Sequence, residues 1–399
     1  MILSKNKKLK ILYLFILLCY LFLDPFLRSV YSLNIIPYLV VIILFIGIYL
    51  KLNEQKVKRD IDIIPVLSIT LLIISFLNWE SFYNVSTYLG IPIAYLVYIH
   101  IRKELKIVLK SFLFINLIIC LNEFLSNSYL FDSVIIDQFR NSSTLLDTKF
   151  SGGLTGVIRA KGLCFGPTTL GLFCISMSLL NRDNLIILIS CIAASFLANS
   201  RLAIIVVTIL LLIHLFDKFR LNKIWVLTIV SLNVILISII NKSSSDNIEI
   251  SKSRIFQTFD ISTSNNESRI EFWDKAFNMY MDYNIVEKLI GNNGFYKKKY
   301  YNNPESGWLS IFLDVGFFGF LLYFIPLGLI LFYQYKTKSY IDMLSIFLVI
   351  TVMLVVTFHL SALNNFMYWF LVFTFLENEK IKYQYYSSIK KLMIKNVYA

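Results

Sequence analysis

Long apolar runs follow one another through most of this chain. A helix needs about 20 mainly apolar residues to cross the hydrocarbon core of a bilayer, and by this measure the chain has about twelve such runs. They are centred near residues 18, 41, 69, 93, 115, 172, 191, 209, 232, 320, 349 and 370. Because 57% of the 399 residues are hydrophobic and only 16% are charged, a water-soluble globular protein is excluded. The sequence predicts an all-α, polytopic integral membrane protein with a single transmembrane domain over residues 1–399.

Lysines and arginines in the short connecting segments predict the orientation of the chain. They are absent from segments 78–86 and 359–365 and frequent in the segments that alternate with these: the N-terminus, 51–60, 102–106, 217–223, 335–339 and the tail after Glu377. Cytoplasmic short loops carry the excess of Lys and Arg, so we expect both termini in the cytoplasm. The first apolar run follows SKNKK and continues through Leu27 without a cleavage site, which predicts a retained anchor.

Two long polar segments, 126–162 and 241–307, then lie outside the cytoplasm. Within the second, residues 262–282 predict an amphipathic helix, because Ser264 and Glu267 fit a capping box. The turn sequence IGNNG is expected to end this helix. Its apolar face is formed by Ile270, Trp273, Phe277 and Tyr280. We expect the helix to lie on the mouth of the bundle or on the membrane surface.

Arginines on the outer side are the candidate ligand-binding residues. The apolar stretch 183–217 is long enough for two short spans, which places the turn at Asn199–Arg201 outside. Arg201 then shares the outer side with Arg159, Arg254 and Arg269. A guanidinium matches phosphate oxygens bidentately and stays charged when desolvated, so clustered arginines suit a pyrophosphate. The alternative, that each arginine only reaches lipid head groups from a helix end, stays open.

No metal or cofactor site is expected, and no nucleic-acid partner. The five cysteines fall in or beside apolar runs without metal-binding spacing, as small core residues do. The three histidines have no further His or Cys ligands near them in the sequence. Much of the net charge of +13 lies in short loops, where it acts as an orientation signal.

Five short motifs follow one another between residues 150 and 330. They are R-x-K-G-x-x-x-x-P from Arg159, N-S-R from Asn199, S-R-x-x-x-W from Ser268, L-I-G-x-x-G from Leu289, and PESGWLSIFLDVGFFGFLLYF over 304–324. In order, spacing and sidedness they resemble the O-antigen and capsule polysaccharide polymerases, called Wzy-type, and their relatives the O-antigen ligases.

The resemblance implies a GT-C-like membrane glycosyltransferase that needs no metal, cofactor or nucleotide sugar. It would polymerise oligosaccharide repeat units carried by undecaprenyl pyrophosphate into O-antigen or capsular polysaccharide. The reaction would take place at the outer face of the bacterial cytoplasmic membrane. Lipid-linked oligosaccharides would be donor and acceptor, the bilayer would be the solvent, and a chain-length regulator is a further partner to consider. By the same resemblance, Arg159, Arg201 and Arg269 would hold the donor pyrophosphate.

At the position that would act on the acceptor, this sequence differs from the O-antigen ligases. There a histidine activates the acceptor hydroxyl, and the aligned residue here, in PESGWL, is Glu305; neither long polar segment contains a histidine. Glu305 is the candidate catalytic base, because a carboxylate at the bilayer mouth can accept the proton of a sugar hydroxyl. Alternatively it is a solvated carboxylate at the N-terminal end of the span beginning near Trp308. Candidate glycan contacts, or alternatively membrane-interface anchors, are Trp273, Tyr296, Tyr300 and Tyr301.

Other functions stay open beside the polymerase. An O-antigen ligase of the same architecture is disfavoured by the missing histidine. A lipid-linked oligosaccharide flippase or other transporter would also have many spans, but it would usually show two related halves. This sequence shows no internal repeat. A structural scaffold would leave the outer arginines unexplained.

Overall fold

A computed structural model of the chain describes residues 5–23, 36–53, 70, 73–74, 82–126, 128–130, 159–164, 166–219, 264–300, 304, 306–337, 345–346 and 362–397. Contacts divide the chain into two compact units. The first unit contains Met1–Leu17, Tyr38–Arg102 and Arg269–Ala399, and the second contains Leu18–Pro37 and Lys103–Ser268.

The regular elements within these ranges are helices, which agrees with the predicted all-α class. In chain order they are α1 (Lys5–Leu18), α2 (Ile36–Asn53), α3 (Phe82–Ser126), α4 (Pro167–Leu180), α5 (Leu185–Leu197), α6 (Arg201–Phe219), α7 (Ser264–Asp282), α8 (Ile285–Ile290), α9 (Phe295–Tyr300), α10 (Gly307–Lys336) and α11 (Ala362–Val397). A π-helical turn, Cys19–Leu23, continues α1, and a 3₁₀ turn, Gly162–Cys164, precedes α4. The predicted spans near residues 69, 232 and 349 lie wholly or mostly outside the described residues.

In the first unit, the beginning of α3 and the beginning of α11 run side by side in the same direction. A Cβ atom on Gly90 would lie 2.6 Å from Asn365 Nδ2, and about three turns later Arg102 forms an ion pair with Glu377. In each pair the two residues are 275 positions apart in the sequence, so the two helices keep one register between these contacts. Aromatic rings fill the interval between the pairs: Tyr95, Tyr98, Phe370 and Phe373.

Helix α10 packs along α11, also in the same direction. Tyr323 stacks on Tyr368 with ring centroids 5.9 Å apart, and further along both helices Tyr333 meets Tyr383 at 5.4 Å. At Gly316, α10 is interrupted by a left-handed backbone conformation with φ 63°. This break divides the helix into a short first part and a long second part.

Within the described ranges, α10 is the one helix long and apolar enough to cross a bilayer by itself, with 30 residues. Four shorter apolar stretches lie within other helices: Tyr38–Leu52 in α2, Pro167–Leu180 in α4, Leu185–Leu197 in α5 and Leu202–Leu215 in α6. A single helix of this kind could also form the core of a soluble protein. Here, however, large apolar side chains on other helices are exposed, for example Phe15, Phe45 and Ile118. Exposed apolar area of this kind is costly in water and favourable in lipid.

The second unit contains α4, α5, α6 and the part of α3 that follows Arg102. Phe112 of α3 packs edge-to-face on Phe173 of α4, with centroids 5.3 Å apart. Asn184 caps α5, because its side chain accepts a hydrogen bond from the amide of Ile187 at 3.2 Å. Four cysteines of this unit are free and buried, as predicted for core residues: Cys120, Cys164, Cys174 and Cys191. Cys19, in the π-helical turn, is free and half-buried.

Candidate functional site

The turn between α5 and α6 carries the N-S-R motif, as the sequence predicted. Asn199 adopts φ 45°, and the amide of Ser200 donates to the carbonyl oxygen of Ser195 at 3.0 Å. Gly171 of α4 lies so close that a Cβ atom there would be 2.2 Å from Ser200 Oγ. This packing holds the turn, and with it the backbone of Arg201 at the start of α6, against α4.

Arg159 lies against this turn. Its Nε donates to the carbonyl oxygen of Ala198 at 3.2 Å, and its Nη2 donates to that of Asn199 at 3.4 Å. The amide of Ala160 donates to the carbonyl oxygen of Leu197 at 3.1 Å. Carbonyls at a helix C-terminus lack intrahelical partners and carry partial negative charge, so a guanidinium is favourable there. The structure thus joins the R-x-K-G motif to the N-S-R motif, 40 residues further along the chain.

The segment after Arg159 is held by a buried carboxylate of α3. Glu123 is fully buried, and its Oε2 accepts hydrogen bonds from the amides of Lys161 and Gly162, both at 2.9 Å. Two consecutive amides that point at one carboxylate oxygen form an anion-binding arrangement of the backbone. Here the anion is supplied by the protein itself.

Asn116, two turns before Glu123 on α3, holds the next residues. Its Oδ1 accepts a hydrogen bond from the amide of Leu163 at 2.8 Å, and its Nδ2 donates to Cys164 Sγ at 3.1 Å. Gly162 adopts φ 51°, and a Cβ atom there would lie 2.0 Å from Asn116 Oδ1. This position therefore accepts only glycine, which accounts for the glycine of the R-x-K-G motif.

The two basic residues of this motif have different surroundings. The side chain of Lys161 is 2% exposed, and its ammonium lies 4.5 Å from the ring centroid of Tyr129. Tyr129 also donates a hydrogen bond to the carbonyl oxygen of Arg159 at 3.2 Å. Lys161 is therefore a supporting residue of the segment, whereas the half-buried Arg159 lies on the turn.

In the first unit, α7, α8 and α9 form a small cluster on α10. The predicted helix 262–282 is present as α7, but the prediction that it continues to IGNNG is wrong. Asn284 and Glu287 form a capping box that begins the separate helix α8, and α8 ends at Gly291. The buried core of the cluster is formed by Ala276, Met279, Tyr283, Tyr296 and Leu313.

The L-I-G-x-x-G loop that follows α8 lies directly on the break in α10. The backbones of Gly291 and Gly316 touch, and both glycines have positive φ. The amide of Asn292 donates to a carbonyl oxygen of α10 at 2.8 Å, and the amide of Gly294 donates to Asp314 Oδ1 at 3.1 Å. As at Glu123, a carboxylate inside an apolar run holds the backbone of a motif loop.

The candidate glycan contact Tyr296 is a packing residue. Its side chain is 3% exposed, and its hydroxyl donates to the carbonyl oxygen of Phe272 at 3.1 Å. Its ring face is covered by the cluster, so a sugar contact by Tyr296 is not supported. In the same cluster, burial raises the pKa of the Tyr283 phenol, and the carboxylates of Asp314 and Glu287 raise it further.

A second candidate glycan contact, Trp273, lies on the outward side of α7. Its side chain is 37% exposed, and Phe277 and Met281 follow at intervals of one helical turn with about half of their surface exposed. These three residues form an outward apolar stripe on α7. The buried face of the helix is different and is formed by Ala276 and Met279.

Several predicted site residues lie outside the described part of the chain. These are Glu305, Arg254 and Tyr301, together with the side chains of Arg201 and Arg269. The backbone of Arg269 is part of α7, and α10 begins two residues after Glu305. Among the described side chains, no group of three or more His, Cys, Asp or Glu is arranged to hold a metal ion.

Sequence reasoning missed Glu123 and Asp314, although both carry a recognisable signal. Each is a carboxylate within an apolar run, and ionisable residues at such positions are costly unless they have a partner or a function. Asn116, one further contact of the R-x-K-G segment, carries a weaker signal because neutral amides are less costly in apolar runs.

A family model described as O-antigen ligase matches residues 186–324. No curated protein and no solved structure matches the chain. The matched residues include the N-S-R turn, α7 to α9 and the first half of α10, and they begin after the Arg159 motif. Members of this family are bacterial inner-membrane proteins that act on lipid-linked oligosaccharides, so the match supports a membrane enzyme that transfers glycans. Over these residues the match confirms the resemblance seen in the motif order, and it supports a relation of this chain to the O-antigen ligase and polymerase superfamily.

Proposed function

We propose that this protein polymerises oligosaccharide repeat units linked to undecaprenyl pyrophosphate, at the outer face of the cytoplasmic membrane. The growing glycan is transferred from its lipid carrier to the non-reducing end of a new lipid-linked repeat unit. The acceptor hydroxyl forms a bond to the anomeric carbon of the donor, and the bond from that carbon to the pyrophosphate breaks. Undecaprenyl pyrophosphate leaves as an anion, so the reaction needs cations at the leaving group.

Arg159, Arg201 and Arg269 are the proposed cations. The observation that carries the proposal is the contact of Arg159 with the turn that begins α6, because it brings the R-x-K-G segment next to the backbone of Arg201. A guanidinium has five N–H donors in a planar fork, which suits the bidentate binding of phosphate oxygens. Positive charge at this place would stabilise the pyrophosphate as its negative charge develops.

Glu305 is the proposed base for the acceptor hydroxyl, and Trp273 is the proposed sugar contact. Pro304 and Ser306, the neighbours of Glu305, are buried beside the start of α10. The exposed position of Trp273 supports its role, because a sugar stacks on an accessible ring face. Orientation of the acceptor hydroxyl over the anomeric carbon supplies the remaining part of the catalysis.

The packing of the first unit supports the proposed sidedness. Segments 51–60, 102–106 and the tail after Glu377 were assigned to the cytoplasm from their charges. Arg102 pairs with Glu377, so two of these segments meet at one end of this unit, and Lys51 of the third contacts the ring of Tyr95, about two turns before Arg102 on α3. The second part of α10 also runs toward that end, parallel to α11.

The second candidate is an O-antigen ligase, which the description of the matched family favours. The residue aligned with the ligase histidine is Glu305, and residues 126–162 and 241–307 contain no histidine. We therefore place the polymerase first.

Deletion of the gene, followed by electrophoresis of the surface polysaccharide, tests the proposal. A polymerase predicts that single repeat units are still attached and that long chains are lost. Free polymer that is no longer attached indicates a ligase, and loss of every exported unit indicates a flippase. Either of these two results contradicts the proposed function.

A further inference from the structure

We propose that Glu123 is a positioning residue for the pyrophosphate site, which fixes the R-x-K-G segment and thereby Arg159 at the turn before α6. The inference rests on the proposed function, because it assigns to Arg159 a place in donor binding. It adds a residue on α3 that does not itself touch the substrate.

The first step is the hydrogen bonding of the segment. Residues 160–164 form no strand, and only the short 3₁₀ turn is regular, yet each of their five backbone amides has an acceptor. One amide is bound by the end of α5, two by Glu123 and one by Asn116, and the last closes the 3₁₀ turn. Three of the five therefore depend on side chains of α3. Side chains of α3 thus supply most of the acceptors that regular secondary structure would otherwise supply to this segment.

The second step is the choice of a carboxylate. Glu123 is 0% exposed, and its Oε1 has no hydrogen-bond partner among the described residues. A buried and incompletely paired carboxylate is energetically costly, and an apolar residue of similar volume would often be as stable. Overall stability is therefore a poor explanation for Glu123. Charge-assisted hydrogen bonds to two consecutive amides explain it better, because they are shorter and stronger than neutral ones.

The third step connects Glu123 to the cation. The amides that Glu123 binds belong to Lys161 and Gly162, two and three residues after Arg159. Arg159 is also tied to the turn through its guanidinium, and the amide of Ala160 binds the end of α5. With Glu123 in place, the backbone that directly follows Arg159 is fixed. A guanidinium must be held within about 0.5 Å of its productive position for full effect, which requires such support.

The test uses the full-length protein in lipid nanodiscs and measures the Kd of radiolabelled undecaprenyl pyrophosphate, with undecaprenyl monophosphate as a comparison ligand. Glu123→Gln keeps the size of the side chain and one carbonyl acceptor but removes the charge. We expect the Kd for undecaprenyl pyrophosphate to rise about tenfold. The Kd for the monophosphate should change less, and the melting temperature should remain close to that of the wild type.

Glu379→Gln is the matched control. Glu379 is also buried, at 1% exposure, but it lies on α11 in the first unit and pairs with Lys382. Its substitution should leave the Kd for undecaprenyl pyrophosphate unchanged. If Glu123→Gln does not reach the membrane, Glu123→Asp replaces it, because it keeps the charge but withdraws the carboxylate from the amides by one methylene. A rise in Kd in the same direction is expected.

Two results separate the two proposals. Wild-type protein that binds undecaprenyl pyrophosphate no more tightly than the monophosphate contradicts the proposed function. Wild-type protein that prefers the pyrophosphate, together with a Glu123 variant of unchanged Kd, contradicts the positioning role alone. A Glu123 variant that loses affinity only in proportion to a lower melting temperature also contradicts it, since that would be a general loss of structure.

Discussion

A Cβ atom on Gly316 would lie 2.5 Å from the amide nitrogen of Gly291, so these two glycines bring the backbone of a loop and the backbone of a helix into direct contact. The contact is possible because both residues lack a side chain and both adopt positive φ. It places the L-I-G-x-x-G motif on the break in α10. The close approach of the two backbones requires glycine at both positions, which accounts for one glycine in each of two motifs.

Alanine at Gly316 or Gly291 is therefore expected to destabilise the first unit. The substitution adds the cost of a left-handed conformation to that of an overlap with backbone atoms, together about 2–5 kcal/mol. Thermal unfolding of the purified protein in detergent measures the effect. Gly328→Ala on the same helix is the control, because a Cβ atom there meets nothing within 4 Å. Equal melting temperatures for all three variants would show that the two backbones do not touch.

Replacement of Arg201 should shorten or abolish the polysaccharide. Arg201→Ala removes the charge, and Arg201→Lys keeps the charge but loses the planar fork, so chain length should fall in the order wild type, Lys, Ala. The loss of charge-assisted contacts should lower the rate of polymerisation about tenfold or more for Ala. Chain length is read from gels of surface polysaccharide in a strain without the native copy. Arg182→Ala is the control, because Arg182 lies in the turn at the other end of α5. Normal chains in both Arg201 variants, with normal expression, would remove Arg201 from the donor site.

Glu305→Gln should slow the transfer step. A positioned base contributes about 10² to 10⁴ in rate, so kcat should fall by about a hundredfold or more while donor binding is retained. The rate is measured with lipid-linked repeat units extracted from a strain that lacks the protein. Glu271→Gln serves as control, since Glu271 is exposed and forms an ion pair with Lys275, one turn away on α7. If Glu305→Gln makes chains of full length at the normal rate, Glu305 is not the base.

Trp273 and Tyr296 should respond in opposite ways to truncation. Trp273→Ala should raise the acceptor KM and leave the melting temperature unchanged, because the side chain is partly exposed. Tyr296→Ala should lower the stability by about 3–5 kcal/mol, as expected for a large buried aromatic residue. Steady-state kinetics and thermal unfolding of both variants distinguish a sugar contact from a packing contact. An unchanged acceptor KM in Trp273→Ala would assign the outward apolar stripe of α7 to lipid instead.

The features that sequence reasoning predicted correctly depend on local patterns. The turn at Asn199 follows from a polar triplet between two apolar runs, and α7 follows from a capping signal and an apolar period. The division between α7 and α8 had a local signal too, since Asn284 and Glu287 have capping-box spacing. The prediction instead extended the helix to the turn sequence IGNNG.

What could not be predicted are contacts between distant residues. The hydrogen bonds of Glu123 join positions 38 and 39 residues apart, and the bond of Gly294 to Asp314 spans 20 residues. A sequence shows that a buried carboxylate needs partners, but the partners are chosen by how the helices pack. For the same reason the pattern did not separate Trp273, on the outward side of α7, from Tyr296 in the core of the cluster.

The parallel pairing of α3 with α11 also bears on how the protein is made. Asn365 and Glu377, the residues that contact Gly90 and Arg102, are translated 275 positions after them. At about 5–20 residues per second, a ribosome needs about 14 to 55 seconds to reach them. During this interval α3 is already synthesised but lacks the helix against which it finally packs. The first unit can therefore close only after translation has passed Glu377, and a nascent chain arrested before that point would keep the Arg102 cation without its carboxylate.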